Sequence, residues 1–111
     1  MLRIRDQMIA QSQFDDVDLE NSTFANVNLD KIKVANASVC DATFEGVAMS
    51  SATFEDGDMK NARFTNVDLS GARFRGVNLT GAVIDDANVE GMRINGHLVT
   101  ELLKLTEQKA G

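Results

Sequence analysis

The sequence predicts an all-β repeat fold of short straight sides joined by corners, and three observations predict it. All six phenylalanines, Phe14, Phe24, Phe44, Phe54, Phe64 and Phe74, fall in one register of a ten-residue period. Five matches at one-in-ten odds have a chance of roughly 1 in 10^5, far outside ordinary apolar patterning. Beneath this runs a period of five: every fifth residue from 14 to 94 is apolar, 17 positions in all. Two residues before each centre a second selected position recurs. It holds Ala, Val, Ile or Met in 14 of 17 cases and the small residues Ser12, Ser22 and Gly57 in the others. The remaining 51 positions carry five apolar residues, Ala25, Ala35, Cys40, Ala48 and Val83. Each unit therefore points two side chains inward and three outward.

Neither common element satisfies that rule. A helix turns about 100° per residue, so a five-residue repeat would smear its apolar side chains around the axis. A long strand needs unbroken alternation, whereas here alternation holds for three residues and then resets. The reset requires a corner. Asn21, Asn26, Asn36, Gly46, Asn61, Asn66, Gly71, Gly76, Gly81, Gly91 and Gly96, with several Asp, stand at that place. Gly and Asn tolerate the positive φ such corners need.

The elements follow in order within a single domain, residues 1–111. Residues 1–11 keep the apolar register at Ile4 and Ile9 but lose it at Gln7, so a cap or irregular first turn is expected. Residues 12–96 are the repeats. Residues 97–110, HLVTELLKLTEQKA, place Leu98, Leu102, Leu103 and Leu105 on one broad helical face, with Glu101, Lys104, Glu107, Gln108 and Lys109 largely opposite. The expectation is a C-terminal helix closing the open end against edge pairing. The alternative is that its leucines also pair two copies of the chain.

VDLEN at 17–21, VNLDK at 27–31, VDLSG at 67–71, VNLTG at 77–81 and ANVEG at 87–91 resemble the A-(D/N)-L-x-x unit of the pentapeptide-repeat family. The resemblance runs from about Ser12 to Gly96. It implies a right-handed quadrilateral parallel β-helix of four to five coils, four units per coil, with the short C-terminal α-helix beside it. The departure from the family unit is systematic: Phe alternates with Leu or Met at the centre, and Asp or Asn precedes mainly the Leu and Met centres. In that fold units ten apart lie on opposite sides, so Phe24, Phe44 and Phe64 should stack along one side at about 4.8 Å. The resemblance also implies that some members dimerise at the helical end. Others mimic double-stranded DNA, bind DNA gyrase or topoisomerase IV and protect them from quinolones.

Composition narrows the function. Seventeen acidic and 11 basic side chains give a net charge of −6, which opposes direct binding to nucleic acid or an anionic membrane and suits a basic protein partner. With every Phe inward, no stacking platform remains for single strands. One cysteine excludes an internal disulfide, the first ten residues do not read as a secretory signal, and no apolar run approaches a membrane span, so the expected address is the cytoplasm.

An enzyme is not expected. His97 is the only histidine, Cys40 falls at an outward position with no predicted base, and the glycines are scattered corners rather than a phosphate cradle. No cofactor or metal is expected either. Asp15, Asp16 and Asp18 share one corner, but a Ca²⁺ loop would need a Gly-pinned turn.

The candidate interaction site is an acidic edge. Asp15, Asp16 and Asp18 recur two coils later as Glu55, Asp56 and Asp58, about 10 Å away. The coil between offers Ala35, Asn36 and Ser38. Glu20 extends the patch, Lys60 opposes it and Arg75 ends it. Arg63, Arg73, Arg75 and Arg93 are read as counter-charges on two opposite sides. The resulting expectation is a noncatalytic structural or protein-interaction module of unassigned partner, monomeric or homodimeric. The alternative is a DNA-mimicking binder of topoisomerases.

Overall fold

The computed structural model describes residues 3–5 and 12–101. Two sheets, parallel except for their last strand pair, face each other across the core. One contains β1 (Arg3–Arg5), β3 (Thr23–Ala25), β5 (Thr43–Glu45), β7 (Arg63–Thr65) and β9 (Val83–Asp85). The other contains β2 (Gln13–Asp15), β4 (Lys33–Ala35), β6 (Thr53–Glu55), β8 (Arg73–Arg75), β10 (Arg93–Ile94) and β11 (His97–Leu98). Each parallel pair is offset by 20 residues, as in Phe24↔Phe44 and Phe54↔Phe74. Two further sides are built from single bridges, Asp18–Ser38–Asp58–Asn78 and Asn28–Ala48–Asp68–Asn88. One coil is therefore 20 residues and four sides, and the whole is a β-solenoid.

The corners make the five-residue unit possible. All 17 corner residues from Asp16 to Gly96 have positive φ, between 52° and 84°. Eleven of them are not glycine, and nine of those eleven are Asn or Asp. These are the residues that accept the left-handed region most readily, through local side-chain hydrogen bonding.

Phe24, Phe44 and Phe64 stack with ring centroids 4.8 Å apart and planes within 4° of parallel. Phe54 and Phe74 stack from the opposite sheet at 4.8 Å with planes 10° apart, and Phe64 meets Phe74 edge to face at 6.2 Å. Ala42, Ala52, Ala62 and Ala72, two residues before four of these rings, are fully buried. Large and small residues thus alternate around the coil and fill each layer evenly. Val34 interrupts one Phe column, and its partner Ile32 is also buried.

The alternation of Phe units with Leu or Met units has a backbone cause. Phe sits in three-residue strands, whereas Leu and Met follow a single bridge residue. There the Asx side chain completes the bonding. Asp18, Asn28, Asp58, Asp68, Asn78 and Asn88 each accept, through Oδ1, the N–H two residues ahead, at 2.9–3.2 Å. Ala48 has no such oxygen, and Asp30 of the preceding coil accepts the Ser50 N–H instead, at 2.9 Å.

Both ends hold strands. Arg3–Arg5, within the expected cap or irregular first turn, is a strand paired in parallel with β3, with Ile4 opposite Phe24; residues 6–11 lie outside the described residues. At the other end the helix begins at Val99, not His97. Asn95 and Gly96 both have positive φ, 50° and 84°, so the chain folds back as a tight hairpin and β11 pairs antiparallel with β10. Asn-Gly is the preferred pair for a two-residue hairpin turn, because both positions need positive φ. Leu98 accordingly lies in β11, while Leu102, Leu103 and Leu105 lie outside the described residues.

Candidate functional site

The acidic edge assembles as the 20-residue coil requires. Asp15 pairs with Ala35, Ala35 with Glu55, and Glu55 with Arg75, in one outward column of the β2–β4–β6–β8 sheet. Asp16, Asn36 and Asp56 form the corner column beside it, their N–H groups donating to Ala35, Glu55 and Arg75 carbonyls. Asp18, Ser38 and Asp58 line the adjoining side by successive bridges. Two strand spacings separate the acidic rungs, about 10 Å.

The intervening rung is small, and that creates a recess. Gln13, Phe14, Asp15, Lys33, Ala35, Asn36 and Glu55 line an open cleft of about 270 Å³. One polar wall is held in place: Asn36 Nδ2 donates to Asp15 Oδ1 at 3.2 Å. On the adjoining side Ser38 Oγ donates to Glu20 Oε1 at 2.8 Å. Asp15, Asp16, Asp18, Glu20 and Asp56 are exposed, while Glu55 and Asp58 are half-buried.

The seven acids are not equivalent. Asp18 and Asp58 complete the backbone bonding of their units, donated to by Glu20 N–H and Lys60 N–H. Asp16 and Asp56 are positive-φ corners. Asp15, Glu20 and Glu55 have no backbone duty of this kind. An amide in place of any of the four Asp residues with structural roles keeps the acceptor and the corner preference while removing the charge.

The other sequence candidates fall elsewhere. Cys40 Sγ donates to the Asp58 carbonyl at 3.6 Å and lies 3.8 Å from Ser38 Oγ, so the thiol is held by a weak structural contact. Among the described residues no group of three or more His, Cys, Asp or Glu is arranged to hold a metal ion. No described helix is long and apolar enough to cross a membrane.

The arginines fall on two opposite sheets, as the spacing implies: Arg63 lies in β7 of one. Arg73 and Arg75 in β8 and Arg93 in β10 share the face of the acidic edge, one and two strands beyond Glu55. The sequence reading did not foresee that these three line one cleft. The signal was present: Arg73 and Arg93 are one coil apart.

Comparisons with known proteins agree with this geometry. The family model for the pentapeptide repeat region matches residues 8–74, and that for pentapeptide repeats (8 copies) matches residues 57–96. A search of curated proteins returns no match. Among solved structures, the chain is similar to HetL, a pentapeptide repeat protein involved in heterocyst differentiation regulation from the cyanobacterium Nostoc sp. strain PCC 7120. The identity is 20% and the TM-score 0.68, over 86% of this chain and 51% of HetL. It is also similar to a pentapeptide repeat protein of the Arabidopsis thaliana thylakoid lumen, at 24% identity and a TM-score of 0.61, over 78% of this chain and 63% of that one. The chain thus spans between about half and under two-thirds of the length of these two relatives. Because one family model alone covers more than half of the residues and the coil geometry is the one its repeat demands, the chain belongs to the pentapeptide-repeat family.

Proposed function

We propose that the chain is a noncatalytic protein-interaction module whose acidic edge docks a basic segment of a partner protein. The observation that carries this reading is the in-register column Asp15–Ala35–Glu55 with its recess. Carboxylates two strands apart flank a small residue, so an arginine or lysine side chain can enter between them and meet charge on both sides. The solenoid is stiff, because each coil is hydrogen-bonded to the next along its sides, so the edge is presented without ordering cost.

The edge also supports a second reading, that of a DNA mimic acting on gyrase or topoisomerase IV. Seven acids against Lys33 and Lys60, within about 10 Å of rod, approach the charge spacing of a duplex, about one per 1.7 Å. Arg75 ends that column, and a mimic of useful length would need a second copy.

One variant tests both readings. Asp15→Asn, Asp16→Asn, Asp18→Asn, Glu55→Gln, Asp56→Asn and Asp58→Asn combined removes six charges and keeps the acceptors. An arginine-rich peptide should bind the unmodified protein, weaken as salt rises, and lose about tenfold or more in affinity to the variant. Equal binding to both proteins rejects the docking role of the edge. In a gyrase supercoiling assay, salt-sensitive inhibition or quinolone rescue that vanishes in the variant selects the DNA-mimic reading. No effect at high protein concentration removes it.

A further inference from the structure

The other half of the same sheet face has the opposite sign. Arg73, Phe74, Arg75, Arg93, Asn95 and Gly96 line an open cleft of about 430 Å³. Arg73 and Arg93 are in register on adjacent strands, and Arg75 stands two residues from Arg73 on the same outward face of β8. Three arginines from two adjacent strands, about 4.8 Å apart, therefore line one cleft. They are exposed, and among the described residues no acceptor lies within hydrogen-bond reach of Arg73 or Arg75.

The wall of the cleft is fixed by the hairpin. Arg93 Nη1 donates to the Gly96 carbonyl at 2.8 Å, tying that guanidinium to the turn. Gly76 N–H donates to Asn95 Oδ1 at 2.9 Å, which locks the turn onto the preceding coil. On the neighbouring strand Thr53 is in register with Arg73 and Glu55 with Arg75. So a concentrated positive site persists in a chain of net charge −6.

We infer that this cleft is an oxyanion site for a phosphate group, held by Arg73, Arg75 and Arg93. A carboxylate fills one guanidinium fork and would leave the other two arginines repelling each other. A phosphate monoester carries a charge of about −1.5 to −2 and three terminal oxygens, which suits a cleft lined by three arginines. The cleft floor is β-sheet backbone with no exposed aromatic ring, so recognition rests on the phosphate and not on a base or sugar. The ligand source is a free phosphate compound or a phosphorylated side chain.

The test is a ¹⁵N NMR titration of the whole chain at constant ionic strength, including arginine Nε signals. The probes are inorganic phosphate, O-phosphoserine and, as controls, chloride and serine. Saturable shifts confined to residues 73–76 and 93–96, produced by the phosphate probes alone, support the site, and the tighter probe identifies the source. Arg73→Gln/Arg75→Gln should weaken binding by roughly tenfold or more, whereas Arg63→Gln on the opposite sheet should leave it unchanged. Non-saturating shifts, equal shifts with chloride, shifts spread over Lys31, Lys33 and Lys60, or undiminished binding by the double variant would overturn it. Circular dichroism of each variant separates loss of the site from loss of fold.

Discussion

Corner positions show most directly how a residue's local chemistry is tied to this fold. Lys31 and Ser51 occupy corners at φ of 60° and 58° without the advantages of Gly or Asx. The left-handed region costs an ordinary L-residue roughly 1–2 kcal/mol. Lys31→Gly should therefore raise stability, by about 0.5–1 kcal/mol after the larger unfolded-state entropy of glycine is subtracted. A urea midpoint measures it, and a lower midpoint would show that the lysine chain contributes more than its backbone strain costs. Gly46→Ala should act in the opposite direction. Its φ is +62°, and the new Cβ would lie 2.7 Å from Asn26 Oδ1. The expected loss is about 1–2 kcal/mol. Asx residues give a paired test. Asp30→Ala orphans the Ser50 N–H and should cost about 0.5–1.5 kcal/mol, whereas Asp30→Asn should be nearly neutral.

At the scale of the element, each strand is three residues long and has almost no independent stability. Its burial comes from the coils above and below. Phe44 is the middle ring of the Phe24–Phe44–Phe64 stack and is 2% exposed. Phe44→Ala removes ring contacts on both sides and should destabilise by about 3–5 kcal/mol, read from thermal or urea unfolding. A loss under about 1 kcal/mol would mean that the neighbouring coils collapse into the space. These elements were legible because inward positions repeat without a gap. The hairpin of β10 and β11 was not, although Asn95-Gly96 is a strong turn pair. The leucines after it supply a helical period that extends through His97 and Leu98, and the local turn preference prevails over that period.

Across the whole molecule, charge is distributed along one sheet face by the coil number. Acids occupy the first and third rungs and arginines the fourth and fifth. We propose that residues 97–111 close the C-terminal end of the stack. Leu79, Ile84, Val89 and Ile94 near that end are only partly buried. Deleting 97–111 should lower the unfolding midpoint and, by exposing β10, promote self-association. Sedimentation distinguishes the two roles assigned to this segment: if the 111-residue chain is a monomer whose truncation aggregates, the segment acts through capping, and if it is a dimer that becomes a monomer on truncation, the segment acts through pairing.

The acidic edge was legible in sequence because a fixed 20-residue coil converts spacing directly into position. Asp15 and Glu55 are 40 apart, so they must share a column. By itself the sequence determined the solenoid, the stacking of its phenylalanines and the order of charges along each side. In a repeat fold every long-range contact is a multiple of one local period, so local information suffices. Only the tertiary structure decided which side chains share a recess. The recess beside Ala35, the cleft that Arg73, Arg75 and Arg93 line together, and the reversal at Asn95-Gly96 depend on side-chain volume and backbone direction between coils, which the period does not contain.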